Sequence, residues 1–184
     1  STSRGLGDVY KRQALKSGAD SITAHLREDR RHINDSDIKD IVTNFPGKLN
    51  LEMAATEEML NIALNIKPFS CCIVPEKREE LTTEGGLDVL SKHNQLKKFI
   101  DPLKGAGIRT SFFVDADEVQ LEKSADLDVD CLEIHCGSYC RAFDRSLNTC
   151  EYEFKKISNI AKLASQLGIE VHAGHGLNYE TTKM

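Results

Sequence analysis

At 184 residues, with 40% hydrophobic and 29% charged side chains, the chain has the size and balance of a soluble globular domain or of part of a larger one. A net charge of −5 argues against general binding to nucleic acid or to an anionic membrane, but not against a local basic pocket for a phosphorylated metabolite. No apolar run is long enough to cross a bilayer, and nothing reads as a secretory signal peptide.

Residues 1–13, STSRGLGDVYKRQ, show little apolar periodicity and no strand. They read as an artefactual or disordered leader and are set apart from a repeating unit over 14–184. A short helical remnant from Ala14 leads into a strand over 21–27. Asn34 or Asp35 caps a helix to about residue 45, ended by Pro46-Gly47. A strand over 48–53 follows, and Thr56 opens a helix with Met59, Leu60, Ala63 and Leu64 at helical spacing. The strand over 69–75 is nearly all apolar, as a strand buried on both faces is. After a loop over 76–86 come a helix from about Leu87 to Lys104, a strand over 109–115 and an acidic helix over 117–126. A strand over 131–136, a helix over 151–167 and a strand over 169–173 complete the pattern. The chain then closes with what reads as the start of another helix.

Strands alternating with helices of this length make βαβ units and a parallel sheet. No GxGxxG follows any strand, which disfavours a dinucleotide fold. Polar residues fall instead at the ends of several strands: His25 with Arg27, Glu52, Asp115, Glu133 with His135, and His175. One polar site assembled from many strand ends is the layout of a (β/α)8 barrel. Six strands are present where such a barrel has eight, so the fold class expected is α/β, an incomplete barrel with about six of eight units, unless the fold is of another kind.

Period-two alternation puts Ile22, Ala24 and Leu26 on one face of the first strand and Thr23, His25 and Arg27 on the other. Two readings of His25 and Arg27 are open: a core histidine beside an outward arginine, or a pair waiting for an anion. Glu52 is a desolvated general base or the ion-pair partner of Arg27. Glu133 and His135 share a face, as site residues or as a core hydrogen-bonded pair. His175, between Gly174 and Gly176, is a proton-transfer group or a turn histidine. In the 75–86 loop, hydroxyls, cations and a glycine pair precede a helix whose first N–H groups would hold a phosphate, unless the loop is only solvated charge.

The six cysteines form no CxxC pair, and neighbours such as Cys71 and Cys72 point to opposite faces, so a metal site is disfavoured. Several lie inside apolar runs and read as reduced thiols of a cytoplasmic protein. No nucleophile-elbow motif supports a serine triad.

The segments TAHLREDRRHI, NLEMAATEEML, CCIVPEKREELTTEGGLDV, FFVDAD, LEIHCG and AGHGLNY resemble the pyridoxine 5′-phosphate synthase family of vitamin B6 biosynthesis, over about Ala14 to Lys183. The resemblance implies a barrel enzyme condensing 3-amino-2-oxopropyl phosphate with 1-deoxy-D-xylulose 5-phosphate to pyridoxine 5′-phosphate, phosphate and water. It implies no metal or organic cofactor, no nucleic-acid or membrane partner, and a homo-oligomer when full length. It makes His25 and Glu52 proton acceptors, His175 a proton donor and Glu133 a transition-state stabiliser. It puts Arg27, His32 and Thr82 on the deoxyxylulose phosphate and Gly176 on the amino-ketone phosphate. The family's first strand, with an Asn-x-Asp-His motif and a following Arg, has no counterpart in STSRGLGDVYKRQ, and its last strand, with a Gly-His pair, is not reached. The chain is therefore expected to be truncated at both ends. The competing expectations are an inactive barrel fragment and another phosphate-binding barrel lyase or isomerase.

Overall fold

The structure is a computed structural model that describes residues 2–77, 85–143 and 145–183. Its strands are β1 (Ile22–His25), β2 (Leu49–Met53), β3 (Ser70–Ile73), β4 (Arg109–Val114), β5 (Cys131–His135) and β6 (Glu170–Gly174). They form one parallel sheet in the order β1-β2-β3-β4-β5-β6. Crossovers between parallel neighbours are right-handed, so an order that never reverses sends every helix to the same face. The result is an incomplete (β/α)8 barrel, and among the described residues β1 and β6 each pair on one side only.

The helices are α1 (Thr2–Lys16), α2 (Asp35–Asn44), α3 (Glu57–Ile66), α4 (Val89–Gly105), α5 (Glu118–Asp126), α6 (Gly137–Phe143) and α7 (Leu147–Gln166). Outward strand residues Leu49, Leu51, Met53, Ile73, Phe112, Val114, Leu132 and Ile134 pack with Ile38, Ile41, Met59, Ala63, Leu96, Ile100, Ile160 and Ala164 in one core. These are the odd or even positions that alternation assigns to that face. The opposite face carries Thr23, His25, Asn50, Glu52, Ser70, Cys72, Ser111, Phe113 and Glu133, and among the described residues no helix covers it. Cys72 and Glu133 lie two strands and two residues apart, roughly 11–12 Å between Cα positions on a flat sheet, yet the Cys72 thiol reaches Glu133 Oε2 at 3.9 Å. The sheet is curled around that face.

Local chemistry sets the helix ends. Asn34 Oδ1 accepts the N–H groups of Ser36 and Asp37, while the Asp37 carboxylate accepts the Asn34 N–H, a complete capping box. Thr56, Asp117 and Ser146 cap α3, α5 and α7 one way only, each side-chain oxygen accepting one N–H of the first turn. Lys67 closes α3 in the left-handed region, φ 48°, directly before Pro68.

Three elements differ from the sequence expectation. Residues from Thr2 to Gln13, expected to be irregular, belong to α1, whose Leu15 packs on the core and whose Arg12 lies 5.1 Å from the Phe45 ring centre. The short α6 follows β5 at once, where Gly137 reads as a strand terminator. α7 begins at Leu147 rather than near 151, because the Ser146 hydroxyl takes the Thr149 N–H and starts the helix ahead of its apolar stripe. The last residues form a 3-10 turn over Thr181–Lys183, held to α6 by a 2.7 Å hydrogen bond from the Tyr139 hydroxyl to the Thr181 carbonyl.

Replacing Asn34 by alanine removes one half of the capping box and is expected to lower stability by about 1 kcal/mol. A urea titration of the two proteins measures it; coincident midpoints would show that the cap contributes nothing.

Candidate active site

The curled face opens at the carboxyl ends of the strands into a cavity of about 370 Å3 whose lining includes His25, Arg27, Glu52, Glu133 and His175. These five sequence-derived candidates come from four strands or the segments just after them. Below, a larger cavity of about 760 Å3 runs toward the amino ends of the strands, past Asn50, Ser70 and Arg109. Glu52 and Glu133 line both and mark the boundary between them.

His25 ends β1 with its ring between two acids. Its Nε2 lies 2.9 Å from Glu76 Oε1, and its Nδ1 lies 3.7 Å from Glu52 Oε2. Glu76 is buried, its side chain 5% exposed, and its Oε2 accepts the Glu28 N–H at 3.0 Å. Sequence reading passed over Glu76 in favour of the cations beside it. The signal was parity: Ser70, Cys72, Val74 and Glu76 alternate along one line, which carries Glu76 past Pro75 to the mouth.

Glu52 is the neighbour of His25 in the ladder and of Cys72 on the other side. The expectation that it might pair with Arg27 is not met, since the Arg27 Nε donates to Asp29 Oδ1 at 3.3 Å. Burial pushes the Glu52 carboxyl up to about 7, and the nearby Glu133 carboxylate adds to the shift. Burial also raises Glu133. Cys72, raised well above the ordinary thiol range by burial, stays a protonated donor toward Glu133.

Glu133 and His135 share a face as expected, but they are not a hydrogen-bonded pair. His135 Nδ1 meets Asp115 Oδ1 at 3.0 Å, with side chains 6% and 5% exposed. Asp115 Oδ1 also accepts the Gly86 N–H at 3.1 Å. The His135 ring lies edge-on to His175, centroids 4.8 Å apart, with Phe113 against both. His175 sits in the left-handed region, φ 70°, immediately after β6. Its pKa is lowered by burial first and then by His135 and Arg141.

Two glycines leave the room these groups occupy. A Cβ on Gly174 would collide with the Glu133 carboxylate, and one on Gly137 would lie 2.6 Å from His135 Nε2. Gly176 carries φ +85° beside Cys140.

The remaining candidates stand apart. His32 is exposed on the loop after β1, outside the residues lining the cavity. Thr82 lies outside the described residues. The phosphate site expected at the start of α4 is already filled by side chains. The Gln120 Oε1 accepts the N–H groups of Val89 and Leu90, and the Asp88 carboxylate accepts that of Ser91. An anion there would displace Gln120 and face Asp88. All six cysteines are free, and among the described residues no three His, Cys, Asp or Glu side chains are grouped to hold a metal ion. No helix among the described residues is long and apolar enough to cross a membrane.

The fold and its acid-base mouth place the chain among the β/α-barrel enzymes. The model of the family described as pyridoxal phosphate biosynthesis protein PdxJ matches residues 9–184, and the chain belongs to that family. It is 51% identical over 171 residues to the pyridoxine 5'-phosphate synthase of Rhodopseudomonas palustris (strain BisB18), covering 92% of this chain and 67% of the relative. The protein of that name from Bradyrhizobium sp. (strain ORS 278) is 52% identical over the same shares, and that of Blochmanniella pennsylvanica (strain BPEN) is 49% identical over 166 residues. The chain thus spans about two thirds of the length of these relatives.

The raised Glu52 has a stability consequence. The unfolded chain ionises this group near 4.5, whereas the folded chain retains the proton to about 7. Folded stability from this group is therefore complete below 4.5 and lost as pH rises through 7. Glu52→Gln is expected to stabilise the protein by about 2–3 kcal/mol at pH 8 and by almost nothing at pH 4. Chemical denaturation at the two pH values measures the difference; equal effects would contradict the burial cost.

Proposed function

We propose that this chain carries the catalytic unit, over residues 14–184, of a pyridoxine 5′-phosphate synthase. Its substrates are 3-amino-2-oxopropyl phosphate and 1-deoxy-D-xylulose 5-phosphate, and its products are pyridoxine 5′-phosphate, phosphate and water. The observation that carries the reading is the convergence of His25, Glu52, Glu133 and His175, with the cation Arg27, on one cavity. The family match and the names of the relatives support pyridoxine 5′-phosphate as the product.

Joining an amine to a ketone, losing water and phosphate, and closing a ring all need protons moved as the bonds to carbon form and break around anionic reactants, which is work for acid and base side chains. His25 and Glu52 take protons. Glu52 suits that work because its pKa of about 7 balances availability against basicity near neutral pH. His175 gives a proton; its lowered pKa makes the protonated ring a stronger acid. Glu133, a carboxylate facing the cavity and held by the Cys72 thiol, stabilises positive charge that develops on the reacting groups in the transition state. Arg27, with His32 and Thr82, holds the deoxyxylulose phosphate, and Gly176 holds the amino-ketone phosphate. The protein is cytoplasmic and works as a homo-oligomer in this reading, which size measurement at working concentration tests.

The direct test is to incubate the protein with both substrates and follow pyridoxine 5′-phosphate. His25→Ala or Glu52→Gln is expected to lower kcat at least about 100-fold while the circular dichroism spectrum stays unchanged. Normal turnover in either variant would defeat its assigned role. The acid limb of the kcat/KM profile is expected near pH 7, where Glu52 ionises. Glu133→Gln, by removing the neighbouring charge, is expected to shift that limb to lower pH, and a limb that stays in place would separate it from Glu52.

A further inference from the structure

The groups around His25 are arranged asymmetrically. Nε2 points at the buried Glu76, 2.9 Å away, and Nδ1 points toward the cavity, with Glu52 at 3.7 Å. Glu76 is itself held. Its second oxygen accepts the Glu28 N–H, and Lys77, the next residue, pairs with the Glu28 side chain at 3.3 Å. The segment after β3 is thereby fastened to the segment after β1, and the carboxylate approaches the ring from a fixed direction. A carboxylate only accepts hydrogen bonds, so the neutral imidazole facing it must carry its proton on Nε2 and leave the lone pair on Nδ1.

We propose that Glu76 is the positioning residue of this site, fixing His25 as the Nε2–H tautomer so that Nδ1 is the basic atom. The inference rests on His25 acting as a proton acceptor, as set out above. When His25 works, a bond forms between Nδ1 and a substrate proton, and the electron pair of the broken bond stays on the substrate. The ring becomes an imidazolium whose Nε2–H already faces the Glu76 carboxylate, so positive charge develops beside a fixed negative one. Glu76 touches neither the reacting atoms nor the proton in flight. Its part is to choose the nitrogen and to stabilise the charged ring, the role an orienting acid plays toward a catalytic histidine.

Glu76→Gln is the informative change, because a glutamine matches the shape but not the bonding. Glu76 presents an accepting oxygen to both the Glu28 N–H and His25 Nε2, whereas glutamine has one accepting oxygen and one donating nitrogen. If the oxygen keeps the Glu28 N–H, the amide NH2 faces Nε2 and forces the proton onto Nδ1. The test is to label the histidines with 15N and read the His25 tautomer by long-range 15N–1H correlation, the signal assigned by its loss in His25→Ala. The wild type is expected to show Nε2–H with a bare Nδ1. Glu76→Gln is expected to show Nδ1–H and a kcat lowered about 10²- to 10⁴-fold, with KM changed less than about threefold. Glu76→Asp, which keeps two acceptors on a shorter arm, is expected to restore the Nε2–H signal and part of kcat.

A wild-type ring protonated on Nδ1 overturns the proposal even if the glutamine variant does not fold. A tautomer unmoved by Glu76→Gln overturns it as well, and so does a switched tautomer with unchanged kcat. Should His25→Ala turn over normally, it is the proton-acceptor reading that falls, while the wild-type spectrum still reports whether Glu76 sets the ring.

Discussion

A parallel sheet whose strand order never reverses has all its helices on one side, and everything polar in this protein follows from that. The covered side takes Leu49, Leu51, Phe112 and Leu132 into the core, and alternation leaves Asn50, Glu52, Ser111 and Glu133 on the other. In a flat sheet those residues would be scattered over solvent. Curling brings residues from distant strands to face each other across one space, as the Cys72 thiol and Glu133 show. Chemistry is concentrated at the carboxyl ends because the connecting segments there contribute Arg27, Glu76 and His175, which complete what the strands begin.

The same enclosure sorts protons. Glu52 and Glu133 are shifted upward and His175 downward, chiefly because a charged form loses water on entering the cavity. Glu52 and Glu133 therefore keep their protons to higher pH than free carboxyls, beside the Arg27 cation. Such a site sacrifices folded stability, because Glu52 ionises within it only against the cost of burial.

The sheet, its parallel direction and the faces of the strand residues were legible because alternation is exact over four to six residues: Thr23 and His25, Asn50 and Glu52, Glu133 and His135 all fell on the side assigned to them. Five of the assigned site residues share the cavity. What escaped the sequence has two physical sources. Partner choice depends on distance across the curl, so it was invisible that Glu76 rather than Glu52 lies within hydrogen-bonding range of His25, that Asp115 rather than Glu133 holds His135, and that Gln120 closes the start of α4. Element ends depend on single capping groups, so Ser146 began α7 earlier than its apolar stripe announced. α1 was missed for another reason, a helix so polar on average that few apolar residues mark its face.

Gly174 and Gly137 are places where the mouth is shaped by what is missing. The Glu133 carboxylate occupies the volume in which any side chain at 174 would begin, and the His135 ring lies against the position where one at 137 would. Among natural variants of such a barrel, these two positions should be as intolerant of exchange as the ionisable groups they accommodate, although neither has a functional atom. A redesign that kept every acid and imidazole but filled either hollow with a methyl group would preserve the list of reactive residues and lose their arrangement.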